Sequence, residues 1–314
     1  MYKLCIVLLM LAFEANAMNE TDASDKSQNL SLQLSVGSRT HELEFLDNSL
    51  ENSIIFRPNI AYIFRAGLTY KEQKIVLETD NLSDIGVDSK KGKSSYTDLH
   101  YSGFINKNQY SAYYGRYKGF YVAGQTDVSG NNFAFDDLNT KRYGFEYKSY
   151  GSEPRMTSVD NRNSQNYKEL PEYFGTFTYG ILFDVSNVNN VPSEPQILSQ
   201  LNNSQYIFYN NLRLITLSPF GGLLGRASIN GYYLESGLNI GFGLQKQDYG
   251  LDGVFKSGTD YSFTGDAFVT VGSVTPLGGI FGITFEVATV EPTVDDHEFS
   301  IATVDIRIFY KLLF

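Results

Sequence analysis

His100 and Ser102 stand two residues apart, with Asp98 two residues before them. In an extended strand alternate residues project from one face, roughly 6–7 Å apart along the backbone. A histidine beside a serine on such a face is the pairing a hydroxyl nucleophile needs, the imidazole acting as base and the serine as attacking group. The same residues equally suit the wall of a polar lumen, since strand neighbours at this spacing merely project side by side. A second set consists of charges carried within extended segments: Arg65, Arg116, Lys118, Arg142, Glu146, Lys148, Asp184, Glu235, Asp266, Glu286, Asp305 and Arg307. They are mixed in sign. An Arg or Lys facing hydrocarbon at mid-membrane costs roughly 2–4 kcal/mol, so all twelve are expected to face an enclosed interior. There they would form either an interlocked salt-bridge network or the lining of a narrow pore.

Other clusters point to less. Lys90, Lys91 and Lys93 form a small basic group that could touch lipopolysaccharide phosphates or simply be solvated. Asp136-Asp137 and Asp295-Asp296 are paired acids in expected outer joins, but they lack the spacing of a calcium loop. There is no phosphate-cradling glycine loop, zinc spacing or dinucleotide fingerprint, so no metal and no cofactor are expected. A net charge of −10 argues against nucleic acid, whose phosphates require clustered cations.

The elements that must position these residues read as strands. With 23 Tyr, 23 Phe and 28 Gly but no Trp, tyrosine and phenylalanine would have to form any interfacial girdle. Alternation of apolar and polar residues supports about twelve strands, with ten to fourteen as the range: 29–39, 58–70, 73–79, 96–106, 109–122, 140–149, 172–185, 205–228, 232–245, 260–273, 279–291 and a last strand ending at Phe314. The sixth is the clearest, Tyr143, Phe145 and Tyr147 alternating with Arg142, Gly144, Glu146 and Lys148. In the fifth, Tyr113, Tyr117 and Tyr121 oppose Arg116 and Lys118. Pro219-Phe220-Gly221-Gly222 is expected to bend or interrupt the eighth. In the ninth, Gly237, Gly241 and Gly243 fall on the inner face, where they would make room.

Most of these segments reach the roughly 9–11 residues a tilted strand needs to cross a bilayer. The fold class expected is therefore all-β, a transmembrane antiparallel up-and-down β-barrel, rather than a soluble β-sandwich. Joins should alternate between short periplasmic turns and longer outer loops; the 151–171 join is long on the nominally periplasmic side and breaks the pattern. Before the barrel at 29–314, residues 1–17 read as a secretory signal peptide: Lys3, the apolar run Leu4 to Phe13, then Ala15-Asn16-Ala17. Residues 18–28 would be a short periplasmic segment. Cys5 lies in the signal, so the mature chain would carry no thiol or disulfide.

In the last strand Ile306, Ile308, Tyr310, Leu312 and Phe314 alternate with Asp305, Arg307 and Lys311. This resembles the C-terminal assembly signal of bacterial outer-membrane barrels, which implies the outer membrane, its lipid and the barrel-assembly machinery as location and partners. The runs Arg57-Pro58-Asn59, Gly67 to Lys71, Lys91-Gly92-Lys93, Tyr96 to Leu99, Arg116 to Tyr121, Gly221-Gly222 and Tyr232 to Gln245 together resemble an uncharacterised bacterial outer-membrane β-barrel family, domain of unknown function number 4421. That resemblance implies an outer-membrane barrel and supplies no catalytic residues. The His-x-Ser pair resembles part of the site of lipid A deacylases, with Gly103 where that motif has asparagine. The role expected is structural, or a narrow passage for small polar solutes through a mixed-charge lumen, rather than catalytic. The alternatives are a lipid- or lipopolysaccharide-modifying hydrolase, and a surface adhesin or binding module.

Overall fold

The computed structural model describes residues 30–47, 52–80, 87–126, 130–152, 173–191, 211–229, 231–251, 254–275, 279–294 and 297–314. The expected signal peptide, the 18–28 segment, nearly all of the 151–171 join and Asp295-Asp296 lie outside these residues. The described chain is almost entirely strand: β1 Leu30–Asp47, β2 Asn52–Arg57, β3 Ile63–Tyr70, β4 Gln73–Thr79, β5 Ser95–Ile105, β6 Asn108–Thr126, β7 Asn132–Tyr150, β8 Tyr173–Asn189, β9 Asn211–Ile229, β10 Tyr232–Leu251, β11 Val254–Val274, β12 Ile280–Val294 and β13 His297–Leu313. Each long strand pairs antiparallel with its neighbours, and β13 returns to β1 from Ser31↔Leu313 to Leu46↔Glu298. The sheet is thereby closed and has no free edge.

The wall is not the same all the way up. The first half of β1 pairs with β3, from Leu30↔Tyr70 to Gly37↔Ile63, while its second half pairs with β2, from Leu43↔Phe56 to Asp47↔Asn52. β2 in turn meets β6 at Phe56↔Val122 and Arg57↔Tyr121. At the end that carries the joins 71–72, 106–107 and 275–279 the wall therefore holds twelve strands, all but β2. At the other end it holds ten: β1, β2 and the eight from β6 to β13. Pro58 follows β2 directly, and with no N–H to donate it cannot continue a ladder. The chain crossing from β2 to β3 is instead held by Asn59. Its backbone N–H donates to Ser94 Oγ at 2.7 Å, and its side-chain amide donates to the carbonyls of Asp88 and Gly92 at 2.7 and 2.8 Å. Ser94 Oγ donates on to the carbonyl of Gly119 at 2.8 Å.

Gly119 marks a bulge in β6, where the register with β7 shifts between Lys118 and Phe120. Its φ of 81° is open to glycine, and any Cβ would collide with the Lys93 carbonyl. One consequence is that Tyr117 and Phe120, three apart, both point inward and are buried. Several sequence expectations need correction. β2 lies inside what read as an outer join, β1 runs on past Arg39 to Asp47, β7 starts at Asn132 and so takes in Asp136-Asp137, β10 and β11 extend to within two residues of each other, and β9 passes through Pro219 unbroken. There the β8 ladder continues through Ile181↔Pro219, and only the β10 ladder lapses at Ser218 and Pro219.

The outward face is an apolar belt. On β6 to β9, Tyr114, Tyr143, Val185 and Ile215 form one cross-strand row, which Lys246 continues on β10, and Ala112, Phe145, Phe183, Leu217 and Leu244 form the next across β6 to β10. Phe177, Phe242 and Leu244 are 71, 62 and 57% exposed, a degree of continuous apolar exposure that water does not tolerate and hydrocarbon requires. Along β8 this face runs from Val185 to Tyr173, roughly 40 Å of strand, which a tilt near 45° reduces to the height of a bilayer core with its aromatic girdles. Inside, glycines face aromatic rings directly across the ladder: Tyr113↔Gly144, Phe220↔Gly180, Tyr233↔Gly272, Phe268↔Gly237 and Phe309↔Gly282. A Cβ on Gly144 would strike both the Phe183 carbonyl and the Tyr113 ring. Gly144→Ala is expected to destabilise the barrel by about 1–3 kcal/mol through overpacking, read as a lowered urea midpoint in lipid vesicles; an unchanged midpoint refutes the role.

Candidate functional site

The lumen is the candidate site, and it is built in tiers. At the ten-strand end the inward positions are apolar and buried, from Leu43 and Phe45 on β1, Ile54 and Phe56 on β2, Phe120 and Val122 on β6, Leu138 on β7, Val188 on β8, Leu212 and Leu214 on β9, Tyr249 on β10, and Phe299 and Ile301 on β13. These side chains form one continuous core across the barrel. Phe45 lies 4.8 Å from Phe299 and 5.8 Å from Phe56 between ring centroids, the latter edge-on. Beneath this core His41 stacks parallel to Tyr117 at 4.0 Å, bonds Thr303 Oγ1 at 3.1 Å, and Tyr117 leans on Tyr96 at 4.4 Å.

The next tier is ionic. Glu78 on β4 sits at its centre: Arg39 Nη1 lies 2.8 Å from its Oε2, Arg65 Nε 3.1 Å and Arg307 Nη1 3.7 Å from its Oε1. Tyr96 donates to the same carboxylate at 2.8 Å and accepts from Arg39. Arg39 Nε also donates to Asp305 at 2.7 Å, and Arg307 Nη2 to Glu286 at 2.6 Å. Three guanidiniums thus face three carboxylates, and the Glu78 and Asp305 side chains are 5 and 4% exposed. Across the lumen Asp184 accepts from Arg142 Nε at 2.6 Å, from Ser186 at 2.8 Å and from Tyr113. Tyr113 can reach it because Gly144, its ladder partner, has no side chain in the way.

Towards the twelve-strand end the lumen widens into a cavity of about 540 Å³. Lys148 lies 3.2 Å from Glu146, and Asn239 bridges Thr178 and Asp266 at 2.7 and 2.8 Å. The cavity wall includes Arg65, Arg142, Glu146, Lys148, Glu235, Asp266, Glu286 and Arg307; Asp184 and Asp305 are buried behind it on their arginine partners. Arg116 and Lys118 are a correction to the expected lumen lining. The buried Tyr117 sets the parity of β6, so its neighbours point outward, Arg116 exposed and Lys118 3.7 Å from Asp137. They sit beyond the apolar belt, where facing outward carries little of the mid-membrane cost.

Asp98, His100 and Ser102 all reach the cavity wall. His100 registers with Val76 and Tyr113, Ser102 with Lys74 and Ser111, and no hydrogen bond joins His100 to Ser102 among the described residues. A nucleophile and its base need about 2.6–3.2 Å, so this wall does not assemble that pair. Of the basic loop cluster, Lys91 lies 3.8 Å from Asp88 and 5.1 Å over the Tyr121 ring, and the Lys93 N–H donates to Asp136. No group of three metal-binding side chains occurs among the described residues. The sequence reading missed Arg39, His41, Glu78 and Tyr113. The alternation of β1 carried past Arg39 would have found the first two, and the short β4 hid Glu78.

A closed antiparallel wall, apolar outside and charged within, defines a transmembrane β-barrel of the outer-membrane type. Among solved structures the chain is similar to the outer membrane protease OmpT of Escherichia coli, with 9% identity over 94% of this chain and 99% of that one at a TM-score of 0.41. It is also similar to the toluene transporter TodX of P. putida, 8% identical over 93 and 91% at 0.31, and to the attachment invasion locus protein Ail of Yersinia pestis, 11% identical over 90 and 98% at 0.24. No protein-family model matches the chain, and no curated protein matches its sequence.

Proposed function

We propose that this chain is a resident of the bacterial outer membrane whose lumen is closed, a structural barrel rather than a standing pore. The carrying observation is the unbroken apolar core across the ten-strand end. An aqueous solute would have to part buried phenylalanines there, in a barrel of a size that side chains can fill. The ionic tier supports the same reading, because its charges are spent on one another instead of lining a path. The outer-membrane address rests on the apolar belt carried by a closed wall of strands. Passage of small polar solutes would require the core to move. In planar bilayers the native barrel is expected to give no steady single-channel step; a reproducible step overturns the closed-lumen reading.

A further inference from the structure

We propose that the outward faces of β6 to β9 carry a binding site for the phosphate groups of an outer-leaflet glycolipid, built from Arg116, Lys141 and Arg213. The inference rests on the outer-membrane reading above, with the ten-strand end, where the expected outer joins lie, taken as the end outside the cell. The three cations fall in one cross-strand row, Arg116↔Lys141↔Asn187↔Arg213. Just below that row lies the apolar row of Tyr114, Tyr143, Val185 and Ile215, and just above it Lys118, Asn139, Asn189 and Asn211. The cations therefore stand just beyond the hydrocarbon belt, at headgroup height.

Arg116 and Lys141 are direct ladder partners, and like charges in that position repel. Among the described residues neither has a carboxylate partner. Asp137 lies 3.7 Å from Lys118, and Asp248, which faces Arg213 across the ladder, divides its charge between Arg213 and Lys246, 3.6 Å away, and accepts from Ser257 at 2.7 Å. Two adjacent cations next to an apolar surface call for an anion from outside with acyl chains attached to it. A phosphorylated glycolipid offers both, its phosphate between the Arg116 guanidinium and the Lys141 ammonium and its chains along the Tyr143 and Phe145 face.

The test compares a diphosphorylated lipid A with its dephosphorylated form, binding read by native mass spectrometry of the full barrel in phosphocholine nanodiscs. Insertion is checked first by protease protection. The native barrel should prefer the phosphorylated form by about fivefold per cation, roughly a hundredfold for the row. Arg116→Gln/Lys141→Gln/Arg213→Gln should insert as well and lose that preference. Equal binding of both forms by the native barrel, a comparison that needs no variant, overturns the site alone, as does a preference that survives in the triple variant. A native barrel that does not insert overturns the membrane reading with it.

Discussion

Phe45→Ser/Phe299→Ser is expected to convert a silent barrel into a conducting one. The two rings are ladder partners on β1 and β13, and both are buried in the apolar core. Their removal opens a space along one wall that two hydroxyls then wet. Each truncation costs about 3–5 kcal/mol from lost packing, but the wall itself is held by backbone ladders that neither side chain contributes to. The variant should therefore still refold, shown by heat-modifiable migration, and give resolvable single-channel steps in planar bilayers where the native protein gives none. A folded double variant as silent as the native barrel would mean that the seal lies elsewhere, in the ionic tier or above the core.

Glu78→Gln should be the most damaging single conservative change in the lumen. Among the described residues Glu78 is the one carboxylate that meets Arg39, Arg65 and Arg307 together. Glutamine keeps its shape and can still accept from Tyr96, but it leaves three buried guanidiniums facing one another with less compensating charge. Removing one member of a buried ion network costs about 3–5 kcal/mol, against about 0–1 kcal/mol for Lys246→Gln in the exposed Lys246–Asp248 pair. Urea unfolding in lipid vesicles measures both. The double variant Glu78→Gln/Arg65→Gln should recover part of the loss, because it also removes one of the stranded cations. Equal effects at Glu78 and Lys246 would refute the central role of this carboxylate.

How far the sequence exposes this arrangement depends on where each residue sits along the membrane normal. Tyr143, Phe145 and Tyr147 against Arg142, Glu146 and Lys148 can be assigned by alternation alone, because at mid-membrane a charge has only the lumen to enter. The rule inverts for Arg116 and Lys118. They lie past the belt, and nothing in their local alternation says so. Tyr113 and Tyr117 go inward because a phenol can both pack and donate, one to Asp184, the other against His41. β2 is too short to show a period, and its role depends on partners far away in sequence. The bulge at Gly119, which resets the parity of β6, lies where the Lys93 carbonyl leaves no room for a Cβ, a neighbour that the local sequence of β6 does not reveal.

The change from twelve strands to ten has a consequence for traffic. Barrel diameter grows roughly in proportion to strand number, so losing two strands narrows the bore by about a sixth and its cross-section by about a third. The interior is then a tapering vessel whose narrow neck a few successive layers of side chains are enough to stop. If the lumen is closed as proposed, a small polar molecule that enters the 540 Å³ chamber meets a dead end and must leave by the way it came. The protein would exchange such a guest with one compartment only, holding it without delivering it.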